Sequence, residues 1–176
     1  MITTLKGDIS RLDFDVIVNP AGKDLMPVEG VCSQIFARAG QGLIDECQSL
    51  KGCDVAMAKL TKAYDLPCQA IIHVVVPTFV NMEGEKEILE ACFWNACAQA
   101  YSYAREHELE QLMVAFPVLG SDRGYDKRQA CEIGVRTIRK LFREYPDTKC
   151  IDVVFVCDDQ EVYSYMKEEL KHAIIR

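Results

Sequence analysis

The sequence predicts an α/β fold of three layers: a mixed, mostly parallel sheet with helices on both faces. Three observations carry this. Apolar, β-branched runs alternate with runs of helical periodicity, the order that builds parallel sheets. Ala70–Val76 (AIIHVVV) is apolar nearly throughout, as a strand buried on both faces is. No repeat, low-complexity tract or linker interrupts the alternation, so residues 1–176 read as a single domain.

Taken in order, Ile2–Leu5 is a short strand and Val16–Val18 a second, broken at Asn19-Pro20. Helices follow over Val31–Ala39 and Leu43–Leu50, then an extended piece over Val55–Thr61 and the strand Ala70–Val76. Glu85–Glu108 is the longest helix, with Leu89, Cys92, Phe93, Ala96, Ala100, Tyr103 and His107 on one face. Leu112–Phe116 is a strand stopped by Pro117. Arg128–Arg143 is a helix with Cys131, Gly134, Val135, Ile138, Leu141 and Phe142 on one side. Ile151–Cys157 is the last strand. Gln160–His172 closes the chain, with Asp158 or Asp159 as its cap.

Composition narrows the function. The net charge of −7 argues against a nucleic-acid partner, which needs a basic face. It leaves room for one anionic small molecule, which reads local backbone donors. The nine cysteines form no CxxC pair and mostly sit in apolar runs, so they read as buried thiols of a reducing cytoplasm. His73, His107 and His172 are scattered, and no metal site is expected. MITTLKGD lacks the apolar core of a signal peptide, and no apolar run approaches the roughly 18 residues of a membrane span. A cytoplasmic protein with no membrane partner is expected.

In parallel sheets ligands bind beyond the carboxyl ends of the strands. The loops after the strands at 16–19, 112–117 and 151–157 are therefore the candidates. In Pro20–Gly30, Gly30-Val31 opens a helix whose free N–H groups suit an anion, although Gly22 and Gly30 equally suit a plain turn. In Val118–Tyr125 (VLGSDRGY), Ser121, Arg123 and backbone donors suit phosphate while Asp122 repels it. On these residues alone a plain turn built on Gly120 and Gly124 is the preferred reading. Cys157–Val162 (CDDQEV) is acidic and reads as helix capping. Asp8 suits a turn, or an acceptor for an exocyclic amine. Cys32, near a helix N-terminus, has one feature of an activated thiolate and no histidine near it in sequence, a weak catalytic candidate.

The order of these segments resembles the macrodomain (ADP-ribose-binding, Appr-1''-p processing-like) family over nearly the whole chain. Lys6-Gly7-Asp8-Ile9 resembles its opening GDI motif, and Asp15–Ala21 (DVIVNPA) its D-x-I-V-N-A-A strand and loop. Gly30–Gly40 (GVCSQIFARAG) is similar to its G-V-D-x-A-I-x-x-A-G helix. Thr61–Pro77 (TKAYDLPCQAIIHVVVP) is close to its T-x-x-Y-x-L-P…I-I-H-x-V-x-P run, and Ala115–Gly120 (AFPVLG) to its A-F-P-x-I-S/G segment.

The resemblance implies binding of ADP-ribose or a derivative, free or on an ADP-ribosylated protein, with no cofactor. Some members hydrolyse ADP-ribosyl or O-acetyl-ADP-ribose esters. Asp8 would accept from the adenine amine, with Ile9 beside it. Asn19, Ala21 and Gly22 would line the first loop. Backbone N–H groups at Gly30, Val31 and Cys32 would hold one phosphate. The loop of Gly120, Ser121, Asp122, Arg123, Gly124 and Tyr125 would hold the diphosphate from the other side, with Asp158 where the family places an aromatic residue.

This sequence departs from the pattern. Gly22 stands where hydrolytic members carry Asn. Pro27-Val28-Glu29-Gly30 replaces a glycine-rich run, and Cys32 replaces Asp. Ser121-Asp122 replaces T-G or S-G in a loop one residue shorter. The expectation is a binder of ADP-ribose or a related metabolite with weak or absent hydrolysis. The alternatives are an active ester hydrolase and a repurposed interaction module.

Overall fold

Apolar side chains that alternate between two faces of a sheet need two cores, and the chain builds both. The computed structural model describes residues 1–172. Its strands are β1 (Ile2–Lys6), β2 (Val16–Ala21), β3 (Ala58–Lys62), β4 (Ala70–Val75), β5 (Leu112–Phe116) and β6 (Ile151–Cys157). Its helices are α1 (Val31–Ala39), α2 (Gln41–Ser49), α3 (Glu85–Glu106), α4 (Lys127–Glu144) and α5 (Gln160–His172), with a short 3-10 helix over Pro146–Cys150. The strands form one sheet in the order β1-β6-β5-β2-β4-β3. Every pairing is parallel except that of β3 with β4. The mixed, mostly parallel sheet between two helix layers is the expected architecture.

Successive strand residues face opposite cores. Val16, Val18, Ile72, Val74, Val114, Phe116, Val153 and Phe155 join the helices α3, α4 and α5. Ile17, Ala21, Ile71, Val75, Ala115, Val154 and Val156 join α1 and α2. Both faces being covered explains why β4 is apolar at almost every position.

Strand β2 runs three residues past its expected end. Register with β4 continues through Asn19↔His73, Pro20↔Val74 and Ala21↔Val75. Pro20 is tolerated because its carbonyl, and hence its missing N–H, faces the other side, where β5 pairs only with Val16 and Ile17. That carbonyl accepts instead from the Arg123 guanidinium at 3.0 Å. Other boundaries shift by one to three residues, and Asp126 caps α4 by accepting from the Gln129 N–H at 2.8 Å. The 55–57 segment is a turn, so the extended piece begins at Ala58.

Candidate functional site

The parting of β2 from β5 after two paired residues opens a crevice at the carboxyl end of the sheet, between the β2–α1 and β5–α4 loops. A crevice at such a switch in strand order is where parallel sheets place ligands. An open depression there is lined by Pro27, Val28, Glu29, Gly30, Ser33 and Arg123. A larger groove lies between α3 and α4, around Trp94 and Arg136, away from every strand end.

The first loop is held from below. Leu25 N–H donates to Gly22 O, Met26 N–H donates to the Asp24 carboxylate, and Cys53 N–H donates to Lys23 O. Asp24 is thus consumed by its own turn and Ala21 is buried in the α1-side core. Gly30, with φ of 85°, leads directly into α1.

The second loop closes on itself. The N–H and hydroxyl of Ser121 both donate to Val118 O, and the N–H groups of Arg123 and Tyr125 donate to Gly120 O. Gly120 and Gly124 adopt φ of 90° and 84°. Tyr125 packs inward, its ring centroid 5.1 Å from that of Phe79. Arg123 O accepts from the Phe79 N–H at 2.7 Å, tying this loop to the one after β4. Glu85 anchors that third loop by accepting from the Val80 and Met82 N–H groups at 2.6 and 2.7 Å. Sequence reasoning treated Glu85 only as a helix start. Its burial, in a residue type that is almost never buried without partners, is a structural signal.

Of the residues expected to line the site, Gly30, Val31, Asp122, Arg123 and Asp158 converge. The Asp122 carboxylate lies against Gly30, where a Cβ at position 30 would collide with Asp122 Oδ2. Burial pushes the Asp122 carboxyl above the usual range, opposed by Arg123 and the amides of Asp122 and Val31 and reinforced by Asp158. Arg123 Nε stands 3.9 Å from Asp122 Oδ1 and has no hydrogen-bond partner. Asp158 is exposed, and it is Asp159 that caps α5, accepting from the Val162 N–H at 2.9 Å.

The other expected residues are engaged elsewhere. Asp8 accepts from the N–H and hydroxyl of Ser10 at 2.9 and 2.6 Å and from Arg11 Nε at 3.0 Å. Burial raises its pKa, but these bonds together hold the carboxyl below its ordinary value. Ile9 is buried in the α1-side core.

Asn19 turns inward and is fully buried. Its Nδ2 lies 3.0 Å from His73 Nδ1 and donates to Cys32 Sγ at 3.5 Å. His73 Nε2 lies 2.8 Å from Thr61 Oγ1, whose one proton goes to Lys62 O. The tautomer follows: Nε2–H donates to Thr61, and the Nδ1 lone pair accepts from Asn19. His73 is neutral here, its pKa pushed down to about 4 by burial.

Cys32 differs from the sequence expectation. It is 0% exposed, and burial raises its thiol pKa despite its place in the first turn of α1. The desolvation of a fully enclosed thiolate outweighs the helix terminus. Gly22 presents no side chain. The site therefore offers backbone donors, Arg123 and three carboxylates (Glu29, Asp122, Asp158), without an accessible nucleophile among the residues expected to supply one.

The chain matches the family described as Macro domain over residues 18–134. It is 37% identical over 166 residues to a macro domain-containing protein of Listeria monocytogenes, covering 91% of each chain. It is 33% identical over 175 residues to the ADP-ribose glycohydrolase MACROD1 of Rattus norvegicus, covering 97% of this chain and 65% of that protein. Among solved structures it superposes on an Oceanobacillus iheyensis macrodomain mutant with ADPR at a TM-score of 0.86 and 26% identity, covering 99% of this chain and 92% of that one. A Trypanosoma brucei macrodomain in complex with ADP matches at a TM-score of 0.81 and 25% identity, covering 96% of this chain and 68% of that one. Matching that family model over most of its length, and 37% identical to a curated macro domain-containing protein over 91% of both chains, the chain belongs to the macro domain family.

Proposed function

We propose that residues 1–176 form a single macrodomain that binds ADP-ribose or a closely related ADP-ribosyl metabolite, with weak or absent hydrolysis. The observation that carries this is the crevice where β2 leaves β5, with the N-terminus of α1 on one side and the Arg123 loop on the other. Relatives described with ADPR and ADP support the ligand class. The ligand is free ADP-ribose or the group carried on a modified protein, in the cytoplasm. No nucleic-acid or membrane partner is proposed. Among the described residues no helix is long and apolar enough to cross a membrane.

The side chains support the reading of weak hydrolysis. Gly22 offers nothing to orient a water, and Cys32 is enclosed. General acid–base or nucleophilic catalysis needs a group within reach of the reacting atom. The second reading is an active hydrolase, favoured by the likeness to a protein named ADP-ribose glycohydrolase.

A thermal shift with about 1 mM ADP-ribose tests binding. At a Kd on the order of 10 μM the ligand stands at about 100 Kd and stabilises by roughly 2.7 kcal/mol. For a chain of this size the expected rise in Tm is about 5–10 °C. An unchanged Tm, with no heat on calorimetric titration, refutes the binding reading. Release of free ADP-ribose from a modified protein well above the enzyme-free control would favour the hydrolase.

A further inference from the structure

We infer that the Asp122 carboxylate is a built-in anion that occupies the phosphate position at the N-terminus of α1, so that a diphosphate binds by displacing it. The inference rests on the proposed ADP-ribose reading for the identity of the site, and on separate geometry for the occupancy.

Three observations support it. The Asp122 side chain is 29% exposed, and its carboxylate leans onto Gly30. It fills the space over Gly30, which only a residue without a Cβ leaves open. The Val31 amide, one of the orphan donors that a helix N-terminus holds out to an anion, favours the charged form of this carboxyl against the larger effect of burial. The positive group that would pair with a phosphate is partly engaged: Arg123 donates to Pro20 O, and its buried Nε stands 3.9 Å from Asp122 Oδ1 without a hydrogen-bond partner. Asp122 and Arg123 are adjacent in one loop, so a single movement would lift the carboxylate off α1 and release the guanidinium. The carboxylate thus lies between the start of α1 and the Arg123 guanidinium, the two donors an incoming phosphate would use.

Simple repulsion by nearby carboxylates is the competing account, and the two differ in the free protein. Occupancy predicts that removing the Asp122 charge changes α1 itself before any ligand is added. Asp158 is the control, since it places negative charge near Asp122 from the end of β6.

The test uses the full chain as wild type, Asp122→Asn, Asp122→Ala and Asp158→Asn. It follows backbone amide resonances in the free protein and titrates with inorganic pyrophosphate and, separately, with ADP-ribose. The expected result is a shift of the Gly30, Val31 and Cys32 amides in both Asp122 variants and a gain in pyrophosphate affinity of about tenfold or more. Asp158→Asn should leave those amides unmoved and give a smaller gain. Unmoved amides in the Asp122 variants, an unchanged pyrophosphate affinity, or an equal gain from Asp158→Asn would each overturn the inference. If the Asp122 variants gain pyrophosphate binding while no variant binds ADP-ribose, the inference stands and the ADP-ribose reading falls.

Discussion

His73 shows how a residue shared with a family motif works here through its protonation state. Its ring joins three strands and a helix: Thr61 of β3 on one nitrogen, Asn19 of β2 on the other, and Cys32 of α1 beyond Asn19. The folded protein holds the ring neutral, with a pKa near 4 against 6.5 unfolded. The unfolded chain therefore binds a proton that the folded chain refuses as pH falls through that window. The associated stability is present above pH 6.5 and is lost progressively down to pH 4, amounting to about 3 kcal/mol. Urea unfolding of wild type and His73→Gln from pH 8 to pH 4 checks it. The variant is expected to be less stable at pH 8 and to show a flatter slope between pH 6.5 and 4. Parallel slopes would mean that His73 takes up its proton equally in both states. The sequence places this histidine in the buried strand Ala70–Val76. The tautomer and its partners were out of reach, because they depend on Thr61, Asn19 and His73 meeting across strands that pair at distant positions.

The helices were largely legible because their apolar spacing repeats over many residues. The strand end at Pro20 was not: proline reads as a break, and only the absence of a neighbour on the β5 side makes it harmless. The second loop was legible as a turn on Gly120 and Gly124, but not which carbonyls its amides would take, which the structure shows to be those of Val118 and Gly120. Gly134 marks a close packing that the sequence showed only as a glycine on an apolar helix face. A Cβ there would stand 2.9 Å from Phe93 Cζ and 3.3 Å from Phe155 Cζ, and both rings are fully buried. Gly134→Ala improves helix propensity by about 1 kcal/mol, while forcing an extra methyl into a filled core costs roughly 1–3 kcal/mol. The crowding wins because neither ring has a free end to move. A net loss of about 1 kcal/mol is expected from denaturant unfolding, and a variant more stable than wild type would show that α3 and α4 part easily.

At the scale of the whole molecule the two cores share every central strand. Val16 and Val18 belong to one, Ile17 and Ala21 to the other, and the same alternation holds along β4, β5 and β6. Removing either helix layer would bare alternate residues of the same strands, so the layers are expected to open together. The crevice lies at the ends of those strands, and its loops are tied back to them by Arg123 to Pro20 and by Val76 N–H to Ala21 O at 3.2 Å. A ligand held between the loops should therefore stabilise the sheet as a unit. Hydrogen exchange with and without ADP-ribose at about 100 Kd checks this. The slowest amides of β2, β4, β5 and β6, which exchange through global opening, should all gain close to the same roughly 2.7 kcal/mol of protection. Protection confined to the loops at 22–32 and 118–126, with those strand amides unmoved, would mean that the slowest opening of the sheet leaves the crevice intact. The two cores would then not be one cooperative unit, and the link from loop to sheet through Pro20 would carry no energy.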